Sequence, residues 1–314
     1  MHYAHLGRTG LLKGVTTPLG GSITMDYEMT EANVYHSRRW VMNKVVTHDS
    51  LPGDGCDSLR SCIRYAHGYY DRTERDFLGF AVVVVNAVDG NNDTLRTTIQ
   101  YYDNRSFYAK GCLLCEALVK IDGNDNARDT AKFVITTCSY DTSHILFVVG
   151  GSTYRSVFPK LVRRQTCHYE GLPQAKITAW EEFAYENSYG NVILQRQGAD
   201  RVWTGSPIQK TVVANISYHP QYNNNHCVNR VSSVEIPGYK KRTTEVDIKG
   251  HYTVFRDYYD NTHSLATRLQ YDQYGNVTTM RSPNTTVHYA YDNFVYSYPT
   301  AITDTFGVTS QMQN

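Results

Sequence analysis

The chain has 314 residues, including 26 Tyr, and its 31 Lys and Arg balance 30 Asp and Glu to a formal net charge of +1. This balance excludes the excess of basic side chains that drives binding to nucleic acid or to an anionic membrane surface. The most apolar stretch, residues 77–88, has about half of the ~20 residues that a membrane-spanning helix needs. We therefore expect no nucleic-acid partner and no membrane span.

The start of the chain contains no export signal, and a helix is indicated in one segment only. Residues 1–8 lack the charged start and the apolar run of a signal peptide, so no Sec-type export is predicted. Residues 30–41 favour one or two helical turns with Thr30 as the N-cap. A polar excursion between two hairpins fits the same residues equally well.

Strand patterns occupy most of the remaining chain. Leu265, Thr267, Leu269 and Tyr271 fall on one side of an extended segment whose other side is mostly polar, which is typical of a half-buried antiparallel strand. The pattern along the chain predicts about a dozen strands or more. Further β-rich runs, each bounded by Gly, Asn, Asp or Pro, are residues 80–88, 132–140, 144–149, 157–169, 211–218 and 252–258.

A tyrosine-rich phrase recurs among these strands. Tyr-Gly-Asn occurs at residues 189–191 and 274–276, and Tyr-Tyr-Asp begins at Tyr69, Tyr101 and Tyr258. Gly followed by Asn supplies the two residue types that most easily adopt a positive φ, so the phrase predicts two-residue hairpin turns. Because the repeats have no fixed period, they favour an all-β protein made of one long antiparallel meander of hairpins.

Four segments resemble a known family. Residues 271–278, Tyr-Asp-Gln-Tyr-Gly-Asn-Val-Thr, are similar to the tyrosine-aspartate repeat of Rhs proteins and of the shell-forming B component of insecticidal toxin complexes, the SpvB- and TcaC-like proteins. Residues 10–21, 68–80 and 298–307 resemble other segments of that family, and they follow the family order.

The resemblance implies a fold and a function. In that family the repeats form a curved β-sheet strip, which encloses a toxic C-terminal passenger and carries out no catalysis. This chain would then be a fragment of a secreted or cell-surface bacterial shell, exported by a route that the chain does not encode. Its partners would be the passenger and either other shell segments or a toxin-complex subunit. The sequence has no Asp-Pro dipeptide, so the self-cleaving motif that ends many family shells is missing.

Two sections and one property of the isolated chain are predicted on the same basis. Residues 1–170 hold the motifs Tyr-Tyr-Asp and Arg-Asp-Phe-Leu-Gly-Phe, and residues 171–314 hold the Tyr-Asp and Tyr-Gly-Asn repeats. We expect the two sections to share one continuous sheet. Open strand edges favour association, so we also expect the isolated chain to aggregate or to pair with a neighbouring segment.

Seven cysteines form an odd set in a chain long enough to bury its own core, so a disulfide scaffold is not required. Cys56 and Cys62 are the pair most able to form a disulfide. Cys112 and Cys115 could begin a zinc site, but a second pair is absent, and Cys138 or Cys167 would have to complete the site. Alternating apolar neighbours favour buried strand cysteines instead.

A calcium loop is the second metal site to consider. Asp122, Asn124 and Asn126 have the oxygen spacing of an EF-hand loop. Ala127 stands where that loop needs glycine, and Phe133 stands where it needs a bidentate Glu. The segment therefore favours a hairpin loop, and we predict no metal and no cofactor for this chain.

Candidate catalytic groups are few, and we predict no catalytic residues. Glu74 with Asp76, or Glu181 with Glu182, could form a pair of glycosidase carboxylates. Neighbouring Arg72 and Arg75 would keep the first pair ionised, and no third group has a role. Cys167 and His168 would point to opposite faces of a strand. His2 and His5 are near the terminus, and residues 150–152, Gly-Gly-Ser, predict only a turn.

The alternative function is an extracellular carbohydrate-binding or adhesion module. Trp40, Trp180, Trp203, Tyr258 and Tyr259 could stack on sugar rings if they are exposed on a sheet face. Cross-strand aromatic packing explains the same residues. Five sequons would carry glycans only in a eukaryotic secretory pathway. They are at Asn92, Asn104, Asn215, Asn276 and Asn284.

Overall fold

The computed structural model describes residues 10–31, 38–49, 58–90, 93–121, 130–149, 152–203, 206–220 and 227–312. These residues form strands and turns and contain no α-helix. Their 22 strands are β1 (Gly14–Thr16), β2 (Ser22–Met29), β3 (Trp40–His48), β4 (Ser58–Asp71), β5 (Asp76–Val88), β6 (Thr94–Asp103), β7 (Cys112–Ile121), β8 (Thr130–Asp141), β9 (His144–Val149), β10 (Ser152–Val157), β11 (Lys160–His168), β12 (Ile177–Tyr185), β13 (Val192–Trp203), β14 (Ser206–Tyr218), β15 (Val231–Ile236), β16 (Lys240–Val246), β17 (Tyr252–Tyr258), β18 (Ser264–Tyr271), β19 (Val277–Ser282), β20 (Thr285–Tyr291), β21 (Pro299–Thr303) and β22 (Thr309–Gln311).

Twenty of these strands belong to one antiparallel sheet. Each strand from β1 to β7 pairs with the next one along the chain, so these pairs run from β1–β2 to β7–β8. β8 then pairs with β11, and β11 pairs with β12. The strands from β14 to β22 follow the same order. β9 and β10 form a separate hairpin between β8 and β11. The predicted all-β antiparallel meander is confirmed.

The chain divides into two compact units. The first comprises Met1–Glu182 and Gly198–Lys210, and the second comprises Phe183–Gln197 and Thr211–Asn314. The predicted division between residues 170 and 171 stays a prediction.

The most deeply buried side chains of the first unit lie on β5, β6 and β7 and in the loop after β6. Leu78 and Thr97 are each only 1% exposed, and Val119 is 4% exposed. The hydroxyl of Thr97 bonds to the side chain of Asn86 at 3.0 Å, so a buried polar group is satisfied on the neighbouring strand. Long strands rich in Val and Ile suit this position, because β-branched side chains pack well on a pleated surface.

Three details differ from the sequence prediction. The run at residues 157–169 is interrupted, since β10 ends at Val157 and β11 begins after Pro159, which has no backbone N–H for a ladder. The predicted helix at 30–41 is wrong at its end, where Trp40 begins β3, while its residues 32–37 lie outside the described ranges. Leu265 is 55% exposed, although it belongs to the predicted buried face of β18.

Candidate functional surface

The Tyr-Gly-Asn phrase at residues 274–276 lies in a five-residue turn that an aspartate organises. At residues 189–191 the turn is organised by Glu186 instead, whose carboxylate accepts the N–H groups of Ser188 and Tyr189. In the turn at residues 272–276, the backbone N–H of Asp272 bonds to the carbonyl of Asn276 at 3.0 Å. One carboxylate oxygen of Asp272 accepts the N–H groups of Tyr274 and Asn276 at 2.8 and 2.9 Å. The same bonds recur at residues 247–251 and 304–308, and we call all three Asp corners.

The turn type predicted from Gly-Asn is therefore wrong. Gly190 and Gly275 have positive φ values of 75° and 91°, but Asn191 and Asn276 are not among the described residues with positive φ. A two-residue type I′ turn needs two positive values. The aspartate at the first position bonds the backbone from inside the turn, so only the glycine has to adopt the left-handed conformation.

The tyrosine before the aspartate has a separate role, which is to close the base of a hairpin. The hydroxyl of Tyr271, the last residue of β18, donates to the carbonyl of Tyr252, the first residue of β17, at 2.7 Å. Tyr291 at the end of β20 donates in the same way to Val277 at the start of β19, at 3.0 Å. A third bond of this kind comes from a tyrosine that precedes His219 and not an aspartate: the hydroxyl of Tyr218 donates to the carbonyl of Val192 at 2.9 Å.

These three bonds, which we call tyrosine clamps, are partly buried. Burial raises the pKa of Tyr218, Tyr271 and Tyr291, so their hydroxyls stay protonated and able to donate. Each clamp ties the last residue of a second strand to the first residue of the strand before it. Tyr-Asp therefore combines two tasks: the tyrosine closes one hairpin, and the aspartate turns the chain toward the next.

Successive corners also contact each other. The side-chain amide of Asn276 donates to the carbonyl of Tyr296 at 2.6 Å, and the rings of Tyr274 and Tyr296 stack with centroids 4.5 Å apart. The ring of His251 stacks on Tyr271 at 4.8 Å. The turns at residues 247–251, 272–276 and 292–298 therefore form a row along one edge of the second unit, in which each turn contacts the next, while the Asp corner at 304–308 lies at the opposite edge.

Asp292 is the most heavily bonded carboxylate of this row. Its two oxygens accept five backbone N–H groups at 2.6–3.2 Å, from Phe294, Val295, Tyr296, Ser297 and Tyr298. The N–H of Tyr298 and the other backbone donors hold the pKa of Asp292 well below its ordinary value. The carboxylate is therefore a structural anchor of the turn.

In the first unit, the segment Arg-Asp-Phe-Leu-Gly-Phe is held by a buried asparagine. Asn104 is 3% exposed; its amide donates to the carbonyl of Phe80 at 2.9 Å, and its oxygen accepts the N–H of Gly111 at 2.8 Å. Gly79 has a φ of +106°, and a Cβ added there would lie 3.0 Å from the Asn104 amide. The glycine thus lets the asparagine approach the strand closely.

Three of the four carboxylates that were considered as a glycosidase pair, and for which no catalysis was predicted, have basic partners. Asp76 bonds to Lys110 rather than to the neighbouring arginines, and this bond lowers the pKa of Asp76. Glu182 pairs with Arg163 at 2.9 Å. Glu181 lies 3.4 Å from Arg164, and the backbone N–H of Glu74 donates to the carboxylate of Asp71.

The cysteine candidates lie mainly on strands. Cys112 and Cys115 are both on β7, and burial raises the pKa of each thiol, which disfavours the thiolate that a metal needs. The described part of the chain contains no group of three or more His, Cys, Asp or Glu that could hold a metal. Cys167 lies 3.7 Å from the hydroxyl of Thr178 on β12, and the adjacent His168 ends β11. Cys62 is a free thiol.

Two of the three tryptophans, Trp40 and Trp180, are less exposed than a sugar platform requires. Trp40 on β3 and Trp180 on β12 are half-buried, while Tyr259 is 68% exposed. Trp203 lies at the end of β13. Of the sequons, Asn104 is enclosed and Asn215 and Asn284 are exposed. Several predicted positions lie outside the described residues: His2, His5, Cys56, Asn92, Asp122, Asn124, Asn126, Gly150 and Gly151.

Sequence reasoning missed two of these residues. Asn104 was considered only as a sequon, and Lys110 was not considered as the partner of Asp76. Both act across 24 or more positions of the chain, from Asn104 to Phe80 and from Lys110 to Asp76. The Tyr-Tyr-Asp phrase just before Asn104 was the available signal, because it marks a turn at that point.

No helix in the described residues is long and apolar enough to span a membrane.

Comparison with known proteins supports the family resemblance. Residues 2–111 match the family model described as the insecticide toxin TcdB middle/N-terminal region. No curated protein sequence matches the chain. The similarity to an Rhs-like shell protein of a toxin complex is thereby confirmed, while the SpvB- or TcaC-like assignment stays a prediction.

Solved structures of Tc toxin proteins share the fold. A crystal structure of TcdB2-TccC3 without its hypervariable C-terminal region superposes with a TM-score of 0.65 at 12% identity, over 97% of this chain. A Photorhabdus luminescens Tc holotoxin pore gives 0.67 at 11% identity over 97%, and TcdB2-TccC3-TEV gives 0.64 at 11% over 94%. The chain spans only 22% of the length of each of these matched chains.

Proposed function

We propose that this chain forms a section of the wall of a toxin-complex shell, which encloses a toxic passenger polypeptide, and that the section carries out no reaction of its own. The observation that carries the proposal is the match of residues 2–111 to the TcdB middle/N-terminal family model. The shared fold with TcdB2-TccC3 structures is consistent with it.

The local geometry fits a wall. In the clamps and corners, the tyrosine hydroxyl and the aspartate carboxylate form hydrogen bonds to backbone groups of the sheet. The repeated Tyr-Asp residues therefore hold hairpins together and are not a free reactive pair. The ion-paired carboxylates Asp76 and Glu182 support the absence of catalysis, because each is neutralised by a basic side chain.

The partners follow from the size of the matched chains. Because this chain spans about a fifth of their length, the rest of the wall would come from other segments of the same shell or from a toxin-complex partner subunit. The passenger would be a separate toxic segment. The name of one matched structure, TcdB2-TccC3 without its hypervariable C-terminal region, is consistent with a segment of this kind. The complex would be secreted or held at the bacterial surface.

Protease protection tests the proposal. The natural polypeptide that contains this chain would be purified with the partner subunit that bears the passenger, and trypsin digestion of the passenger would be followed on gels. We expect the passenger to resist digestion in the assembled complex and to be cleaved rapidly when it is free. Equal cleavage in both states would contradict the enclosure.

A matched pair of variants links protection to this section of the wall. Asn104→Ala removes the buried bonds to Phe80 and Gly111, and Asn215→Ala changes an exposed asparagine on β14. We expect Asn104→Ala to let trypsin reach the passenger at a lower temperature, and Asn215→Ala to behave as the wild type. Unchanged protection in both variants would show that this section does not form the wall.

A further inference from the structure

Two neighbouring hairpin turns of the second unit border an open cleft. Residues 237–239 join β15 to β16, residues 259–263 join β17 to β18, and the pairing of β16 with β17 places the two turns side by side. The cleft has a volume of about 400 Å³, which is within the range of small-ligand sites. Its two most exposed aromatic residues are Tyr239 and Tyr259, at 79% and 68%.

Both turns have a defined backbone conformation, and one of the two rings is held by a neighbouring side chain. Gly238 follows a proline and has a φ of 76°, and the N–H of Tyr239 bonds to the carbonyl of Ile236 at 3.0 Å, as in a type II turn. In the other turn, Asp260 accepts the N–H of His263 at 2.6 Å, and the ring of Tyr259 stacks on His263 at 5.8 Å. The ring of Tyr259 is therefore positioned before a ligand binds, which lowers the cost of binding.

The polar lining of the cleft is balanced in charge. Glu235 and Asp260 face Lys240 and Lys241, and Asn261 adds an amide. Lys241 lies 3.6 Å from Glu235, so part of this charge is neutralised internally. A strongly charged ligand gains little from such a lining. A neutral ligand rich in hydroxyls can donate to the carboxylates and accept from the ammonium and amide groups at the same time.

We propose that this turn cleft binds a neutral saccharide. The apolar face of a pyranose ring would lie on Tyr259 or Tyr239, and its hydroxyl groups would bond to Glu235, Asn261 and Lys240. Aromatic rings with a polar tip suit this task because they offer apolar area beside a hydrogen-bonding group. The site is independent of passenger enclosure, since it is built from turns at one sheet edge, and it would give a wall section a means of contacting glycans.

Saturation-transfer NMR on the full chain tests the site. The probes are the methyl glycosides of glucose, galactose, mannose and N-acetylglucosamine. We expect transfer to the ring protons of at least one glycoside. Tyr239→Ala or Tyr259→Ala should weaken its affinity about tenfold, which corresponds to ~1.4 kcal/mol.

The control is Tyr298→Ala, which removes a 57% exposed tyrosine from the corner at the opposite edge of the same unit. We expect this variant to bind as the wild type does. Absence of transfer to all four glycosides would overturn the proposal. So would equal affinity in the wild type, Tyr239→Ala and Tyr259→Ala, because the sugar would then bind elsewhere.

Discussion

Replacing Asn104 by alanine should destabilise the first unit more than any surface change. The side chain is 3% exposed and makes two bonds to backbone groups, at 2.9 Å to the Phe80 carbonyl and at 2.8 Å from the Gly111 N–H. Leaving a buried polar group without its partner costs about 1–3 kcal/mol. Two such groups give a range of roughly 2–6 kcal/mol, and we expect a loss of about 3–4 kcal/mol because water can reach the Gly111 side.

Two measurements check this loss. Urea unfolding gives the change in stability, and hydrogen exchange with mass spectrometry on peptides from β5 to β7 places that change in the first unit. Asn215→Ala is the matched control, since it removes an exposed sequon asparagine and should change stability by no more than ~0.5 kcal/mol. If Asn104→Ala lowered stability no more than this control, the two buried bonds would have no energetic role.

Three further changes test the second unit. Tyr271→Phe removes one clamp hydroxyl and should lower the free energy of unfolding in urea by about 1 kcal/mol. Tyr274→Phe changes an exposed ring and should lower it by almost nothing. Equal losses in the two variants would show that the clamp has no energetic role. Gly275→Ala should lower the free energy of unfolding by about 1–2 kcal/mol, because φ is +91° and an alanine is strained there. The added Cβ has room, since the nearest atom, in His251, would lie 3.4 Å away. An unchanged thermal midpoint would refute this prediction. Because the pKa of Asp292 is lowered, its ionised carboxylate stabilises the fold at pH values above the ordinary pKa of 3.8, and this stabilisation is lost as the pH falls through the folded pKa. The urea midpoint of the wild type should therefore decline from about pH 5 to about pH 2, and Asp292→Asn should flatten this decline. An identical decline in both proteins would count against the anchor.

The strands and their order were predictable because they depend on local patterns. The segments 144–149 and 252–258 were predicted with the bounds that β9 and β17 have. Tyr-Asp was also recognised as the repeated unit. Its physical role was not predictable, because the carbonyl that accepts the hydroxyl of Tyr271 is 19 positions away and depends on the strand register.

The turn type was mispredicted for a related reason. Gly-Asn between strands favours a two-residue turn when nothing else bonds the backbone. Asp272 offers a carboxylate that satisfies two N–H groups at once, so a five-residue turn is stable with one left-handed residue. Asp272 therefore determines the turn type. Asn276 has a different role, because its side-chain amide donates to the carbonyl of Tyr296 in the neighbouring turn at residues 292–298.

The division of labour within Tyr-Asp explains how this fold persists among chains with little sequence in common. Each clamp and each corner bonds to backbone groups, so its partner residue can change without loss of the bond. The interactions join only neighbouring hairpins, and stability therefore accumulates along the sheet as it does in repeat proteins. At residues 271–276 the fold therefore depends on the tyrosine, the aspartate and the left-handed glycine, because these three residues close one hairpin and turn the chain into the next strand.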